Sequence, residues 1–378
     1  MSPGRVATDV VAERLSTVKL PDRDRARLIE INDGSPERSH REAETPEEGE
    51  PMRRVLLVLL VVVVVAGVAV YVAFRGDIDA AHARVAGYGA TTIETSFGKV
   101  TYAEAGAGEP LLTIHGSGGG FDQGLDFARN LTDRYRLIAP SRFGYLESDL
   151  PENATVEMQA DAFAEFLDRL GLGKVFIFGG SAGTLSAMEL AIRHPDRCKA
   201  LVLAVPAAYA PTRAPNTAGV EGDFWFGVMR AVLSSDFLFW SLMKASPDTM
   251  TQMLLATDPA LVAAAEPAEQ ERVHGILTGI LPVSRRTGGL LIDMATAGDP
   301  QPMALERITC PVLTVSLKDD LFGTSDPAEY IAAQVPDGRT IIYPTGGHVW
   351  VGRDAELWSE IRAFLEPLTA DAVVAAQP

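Results

Sequence analysis

The run Val175-Phe176-Ile177-Phe178 is apolar without a break, stops at Gly179-Gly180-Ser181-Ala182-Gly183, and gives way to a helix-compatible stretch reaching His194. A short apolar run bounded by glycines reads as a strand buried on both faces. A strand that turns directly into a helix through small residues belongs to a parallel sheet covered by helices. The same alternation surrounds it. Leu111 to Ile114, Tyr135 to Ala139, Ala200 to Val205, Pro311 to Leu317 and Thr340 to Tyr343 read as strands. Thr155 to Leu170 and Ala355 to Leu365 read as helices, the first with Ala160, Phe163, Leu167 and Leu170 on one face. Thr91 to Glu94 and Lys99 to Ala103, flanking Ser96-Phe97-Gly98, predict a hairpin ahead of them. The fold class is α/β, with a mostly parallel central sheet and helices on both faces.

Between residues 206 and 303 the alternation lapses into helical, Pro-punctuated sequence. This predicts a helical lid inserted into a core made of residues 88–205 and 304–368. Its aromatics Phe224, Trp225, Phe226, Phe237, Phe239 and Trp240 either form the lid's own core or line a pocket, two readings that share one composition.

At the other end, residues 1–51 are rich in Glu, Asp, Arg and Pro and predict a disordered acidic arm. From Val55 to Phe74 every residue is apolar, Gly or Tyr. About 20 such residues at 1.5 Å rise match the ~30 Å hydrocarbon layer of a bilayer, so one transmembrane helix is expected, with the lipid bilayer as its partner. Arg53 and Arg54 before the run outweigh Arg75 after it, which places the large domain on the extracytoplasmic side of a single-pass protein. Met52-Arg53-Arg54 also has the form of a bacterial start, and translation from Met52 is a second expectation.

A formal net charge of -17 argues against nucleic acid as a partner, because polyanions are bound by clustered Lys and Arg. Cys198 and Cys310 stand ahead of two predicted strands, outside any metal-ligand spacing. Two buried thiols are expected there, a bridge being the alternative if the strands are neighbours. No metal and no cofactor is expected.

The strand-to-helix setting makes Ser181 a candidate nucleophile. A serine hydroxyl needs a base to take its proton and a third group to orient that base. Asp319 and Asp320 follow the strand ending at Leu317, and Gly346-Gly347-His348 follows the strand ending at Tyr343. The expected triad is Ser181, His348 and Asp319, the acid chosen because it stands nearest the strand end, with Asp320 as the alternative. His115-Gly116-Ser117-Gly118-Gly119-Gly120 directly follows a strand and reads as an oxyanion loop. The amides of Ser117 and Ala182 are the expected donors, with Gly118 as the alternative to Ser117.

From about Tyr88 to Leu368 the chain resembles the α/β-hydrolase superfamily, in particular lid-bearing bacterial carboxylesterases and carbon-carbon bond hydrolases. The resemblance rests on HGSGGG, on Ala139-Pro140-Ser141-Arg142-Phe143-Gly144-Tyr145, on GGSAG, on Lys318-Asp319-Asp320 and on Gly346-Gly347-His348. It departs from the family at Ser141, where Asp is common. The resemblance implies a serine hydrolase acting on a small or medium apolar, ester-like substrate through an acyl-enzyme. Carbon-carbon hydrolysis, acyl transfer or perhydrolysis by the same triad, and a non-catalytic binding module, are the competing readings.

Overall fold

The computed structural model describes residues 50–213 and 224–369, so residues 1–49 of the predicted acidic arm lie outside the described residues. Eight strands, β1 (Thr91–Thr95), β2 (Gly98–Ala105), β3 (Glu109–Ile114), β4 (Tyr135–Pro140), β5 (Val175–Gly180), β6 (Cys198–Ala204), β7 (Val312–Leu317) and β8 (Gly338–Tyr343), form one sheet. Their order is β1-β2-β4-β3-β5-β6-β7-β8. The pairs β1/β2 and β2/β4 are antiparallel, and every later pair is parallel. β5 and β7 are buried from end to end, which is why they read as unbroken apolar runs.

The helices in chain order are α1 (Glu50–Gly87), α2 (Phe121–Ala128), α3 (Val156–Arg169), α4 (Gly183–Arg193), α5 (Phe224–Leu233), α6 (Asp236–Ala245), α7 (Pro247–Leu254), α8 (Pro259–Ala264), α9 (Pro267–Gly279), α10 (Thr287–Thr296), α11 (Ser325–Gln334) and α12 (Asp354–Leu365). One face of the sheet packs on α3, α4 and α11 through Phe163, Leu167, Met188 and Ile331. The other packs on α2 and α12 through Phe121, Leu125, Leu357 and Ile361. Two of these helices, α2 and α11, were not expected from the sequence. Gly124 interrupts the helical pattern of α2 because the helix approaches the sheet closely: a Cβ there would stand 2.8 Å from the Thr113 carbonyl oxygen.

β6 and β7 are neighbours and bring Cys198 and Cys310 together, both buried and both free thiols, with Sγ atoms 2.7 Å apart. Helices α5 to α10 fall between β6 and β7 and share a separate apolar core with Phe239, Trp240 and Met243 inside it. Three of the prolines that punctuate this segment, Pro247, Pro259 and Pro267, occupy the first turns of α7, α8 and α9, where a missing N–H costs nothing. The side chains of Phe224, Trp225 and Phe226 lie outside the described residues.

α1 is long and apolar enough to cross a membrane, with its most apolar window wholly exposed. The helix does not stop at Phe74, where the apolar run ends. It continues for three more turns, and Ile78, Ala81 and Val85 are buried at helical spacing. Ile78 and Ala81 join the core of the inserted helices, and Val85 joins the sheet core.

Candidate active site

β5 ends at Gly180 and α4 starts at Gly183, which leaves two residues for a reversal of direction. Ser181 takes φ 51°, a left-handed conformation that costs a non-glycine residue about 1–3 kcal/mol. Surrounding contacts hold it there: its N–H donates to Ala204 O (2.9 Å), and its carbonyl accepts from Thr184 Oγ1 (2.6 Å). Gly183 lets α4 start flush against the end of β3, since a Cβ there would strike the His115 carbonyl.

The hydroxyl of Ser181 lies 2.9 Å from His348 Nε2, and His348 Nδ1 lies 2.8 Å from Asp320 Oδ2. Asp320 is 5% exposed and is further fixed by the Phe322 N–H on Oδ1 (2.8 Å) and by the Thr324 hydroxyl on Oδ2. The expectation that Asp319 orients the imidazole is therefore corrected to its alternative, Asp320. The turn after Leu317 rotates consecutive side chains to different sides, and Asp319 is spent on the loop that carries the histidine. It accepts from Thr345 Oγ1 (2.7 Å), Gly346 N (3.0 Å) and Gly347 N (2.8 Å). Burial by itself would raise the Asp319 carboxyl, and these hydrogen bonds outweigh it to leave it below its ordinary value. One aspartate holds the ring and its neighbour holds the ring's loop.

Of the three expected oxyanion donors, the Gly118 amide is directed at Tyr145 Oη (3.4 Å). The amides of Ser117 and Ala182 have no protein acceptor among the described residues. Ser117 is exposed, and Ala182 precedes the first residue of α4, so its N–H belongs to the positive end of that helix. A Cβ on Gly116 would stand 3.0 Å from Ser181 Cβ, so the loop and the elbow are in contact.

The loop is secured by residues that no local motif announces. His115 Nε2 accepts from the Arg142 N–H (2.9 Å) and its Nδ1 donates to Gly116 O (2.7 Å). Burial, reinforced by the Arg142 guanidinium, pushes His115 well below its ordinary range, so it is a neutral structural imidazole. Arg142 makes two hydrogen bonds of 2.6 Å to Asp293 of α10. Arg286, fully buried, donates to Gly119 O and binds Asp122 of α2 through both nitrogens (3.0 and 2.6 Å). Arg84 of α1 adds a third contact to Asp122 (2.8 Å) and also donates to Gly279 O and Leu281 O (2.8 Å each). Burial would raise the Asp122 carboxyl, and Arg286 with Arg84 pulls it down to about 2.

Residues 109–351 match the family model for the alpha/beta hydrolase fold. The chain belongs to the α/β-hydrolase family. Among relatives of this hydrolase, the 2-hydroxy-6-oxo-6-phenylhexa-2,4-dienoate hydrolase of Burkholderia cepacia is 25% identical over 266 residues, 67% of this chain and 86% of that protein. The solved structure of an alpha/beta hydrolase fold protein from Nakamurella multipartita is 29% identical, with a TM-score of 0.57 over 73% of this chain and 98% of its own. That of a membrane phospholipase A, a novel bacterial virulence factor, shares the fold at a TM-score of 0.57 and 23% identity, over 84% of this chain and 99% of its own.

The departure of this α/β-hydrolase at Ser141 has a structural answer. Ser141 is buried, its Oγ accepts from Phe121 N (3.0 Å), and its carbonyl accepts from Ser148 Oγ (3.0 Å). The hydroxyl thus satisfies one of the orphan donors at the start of α2, where Gly120 supplies no side chain. Above the site the inserted helices come close: Ile280 Cγ1 lies 3.2 Å from where a Gly118 Cβ would stand, and Thr257 abuts Gly347. A cavity of about 450 Å³ opens between α2, α9 and the Trp350 loop, lined by Arg84, Gln123, Phe127, Arg272 and Ile276, with neither Ser181 nor His348 on its wall.

Proposed function

We propose that this hydrolase is a membrane-tethered serine hydrolase that cleaves an ester-like bond of an apolar substrate through an acyl-enzyme on Ser181. The observation that carries the reading is the continuous hydrogen-bond chain Ser181 Oγ, His348 Nε2, His348 Nδ1, Asp320 Oδ2 at 2.9 and 2.8 Å. With Asp320 accepting at Nδ1, the imidazole is held in the tautomer whose Nε2 accepts the serine proton. Ser181 attacks the carbonyl carbon, and the oxyanion is held by the amides of Ala182 and Ser117. His348 passes the proton to the leaving alcohol. Water, deprotonated by the same ring, then releases the acid and restores Ser181.

The apolar run Val55 to Phe74 is the proposed anchor, and the Arg53 and Arg54 flank favours an extracytoplasmic catalytic domain. An enzyme tethered this way meets esters that partition into the bilayer.

Covalent labelling of the full chain in detergent by a fluorophosphonate probe tests the reading. Wild type is expected to label, and Ser181→Ala and His348→Ala are expected not to. A folded wild type that stays unlabelled overturns it. The relative in Burkholderia cepacia favours one second reading, hydrolysis of a carbon-carbon bond in a vinylogous diketone by the same three groups. Turnover of such a diketone faster than of any ester would establish that reading in its place.

A further inference from the structure

An apolar helix face is stable in water only where it is covered. α6, with the sequence Asp-Phe-Leu-Phe-Trp-Ser-Leu-Met-Lys-Ala, is covered on one side by the core of the insertion, where Phe239, Trp240 and Met243 are buried. On its other side Phe237, Leu238 and Leu242 are 43%, 43% and 41% exposed. Leu238 and Leu242 stand four residues apart and Phe237 adjoins them, so the three form one stripe, interrupted by the half-buried Ser241 between Phe237 and Leu238. The charges of α6 are at its ends: Asp236 accepts from Ser284 N and Oγ (2.9 and 2.7 Å), and Lys244 pairs with Asp77 (2.9 Å).

The place of this stripe is fixed by α1. Phe74, the last residue of the apolar run, meets the ring of Phe237 edge-on at 5.2 Å and that of Trp240 at 5.6 Å. One turn further along α1, Asp77 accepts from Trp240 Nε1 (2.8 Å). α6 is therefore fastened at the level where α1 passes from apolar residues to Arg75, Asp77 and Asp79. Aromatic rings with Lys and Arg beside them are the composition of a membrane-water boundary. A helix fastened there stands at headgroup depth once the apolar run is inside the bilayer.

We propose that the Phe237, Leu238 and Leu242 stripe of α6 is seated in the interfacial layer of a phospholipid bilayer beside α1, so that the inserted helices rest on lipid. The proposal rests on the reading of Val55 to Phe74 as a bilayer anchor. The occupant is lipid because the stripe continues the apolar surface of α1 through the Phe74 contact. Arg75 and Lys244 are already paired, with Asp79 and Asp77, so the attraction is apolar and phosphatidylcholine suffices without anionic lipid. The insertion that rests on lipid is also the one that places Ile280 over Gly118.

The test uses the full chain reconstituted in phosphatidylcholine vesicles, with an environment-sensitive fluorophore on the thiol of a Leu238→Cys variant. Quenching by lipids carrying a quencher high on the acyl chain is expected, and the same label on Glu360→Cys of α12 is expected to stay unquenched. An unquenched label at position 238 overturns the proposal. So does shielding at 238 that rises with protein density and ignores the quencher, which would assign the stripe to a second copy of the chain. As a second readout, the triple variant Phe237→Ser, Leu238→Ser, Leu242→Ser is expected to turn over a bilayer-borne long-chain ester about tenfold more slowly while keeping its rate on a soluble short ester. Equal rates on both esters would count against lipid seating. Quenching is read without turnover: an inactive wild type with a quenched label would sink the esterase reading alone, and an active wild type with an unquenched label would sink this one alone.

Discussion

The two loops that face Ser181 are held in opposite ways. The loop after β8 is fastened up to the histidine by hydrogen bonds from one neighbouring turn, with Asp319 on its backbone and Asp320 on its ring. Among the described residues the insertion bonds to it only beyond the histidine, where Arg272 donates to Val349 O (2.6 Å) and Glu269 accepts from Gly352 N (2.8 Å). The glycine loop after β3 is fastened by residues far away in the chain, with Arg286 from the insertion on Gly119 O and Arg84 from α1 supporting Asp122. The proposed base and acid thus form a cassette of adjacent strand ends. The proposed oxyanion loop is held by side chains of the insertion and of α1. This predicts that damage to the first loop is local and chemical, whereas damage to the second couples catalysis to the packing of the insertion.

The sharpest test of the first half separates the two adjacent aspartates. Asp320→Asn is expected to lower kcat about 10⁴-fold, because the amide stabilises the wrong tautomer of His348. Asp319→Asn keeps the ring's partner and loosens only its loop, so a loss of about 10- to 100-fold is expected. Steady-state kinetics on one soluble ester reads both, and the reverse order would return the acid role to Asp319.

That pair also marks how far the sequence could be read. The strands, the elbow at Ser181 and the loop of His348 were legible, because β5 and β7 are continuous apolar runs, Ser181 follows the first directly, and Gly346-Gly347 marks the loop after the more exposed β8. The choice between Asp319 and Asp320 was not, since it depends on which way a tight turn presents two consecutive side chains. A hint lay in Thr324, whose hydroxyl reaches back to Asp320. α2 was hidden by Gly124, which its close approach to Thr113 requires. Arg84 and Arg286 were invisible as site residues, because nothing in a linear pattern brings chain positions 84, 122 and 286 together.

For the second half, Arg286→Met is expected to lower kcat about 10²-fold with KM little changed, since the Gly119 carbonyl loses its anchor and the Ser117 amide shifts from the developing oxyanion. Removing a buried partner of Asp122 also costs about 3–5 kcal/mol of stability, so Arg286→Lys is the companion variant. It keeps the charge, loses the two-point geometry, and should restore the melting temperature more fully than it restores kcat. Recovery of both in step would reduce Arg286 to a packing role. Arg84→Met leaves Arg286 in place, and a loss under tenfold in kcat is expected from it.

The smallest effect distinguishes the loops by acid. Asp122 titrates at about 2 in the folded chain against an ordinary value near 3.8. Between those values the unfolded chain binds more protons than the folded one, so stability falls as pH falls through that window and is fully present above it. The shift corresponds to about 2 kcal/mol. Unfolding in detergent, followed from pH 5 to pH 2, should show this slope in wild type and a shallower one in Arg84→Met, because Arg286 exerts the larger pull and remains. Identical slopes would mean that Arg84 contributes nothing to holding Asp122 ionised. The connection from α1 to the oxyanion loop would then run through the Gly279 and Leu281 carbonyls alone.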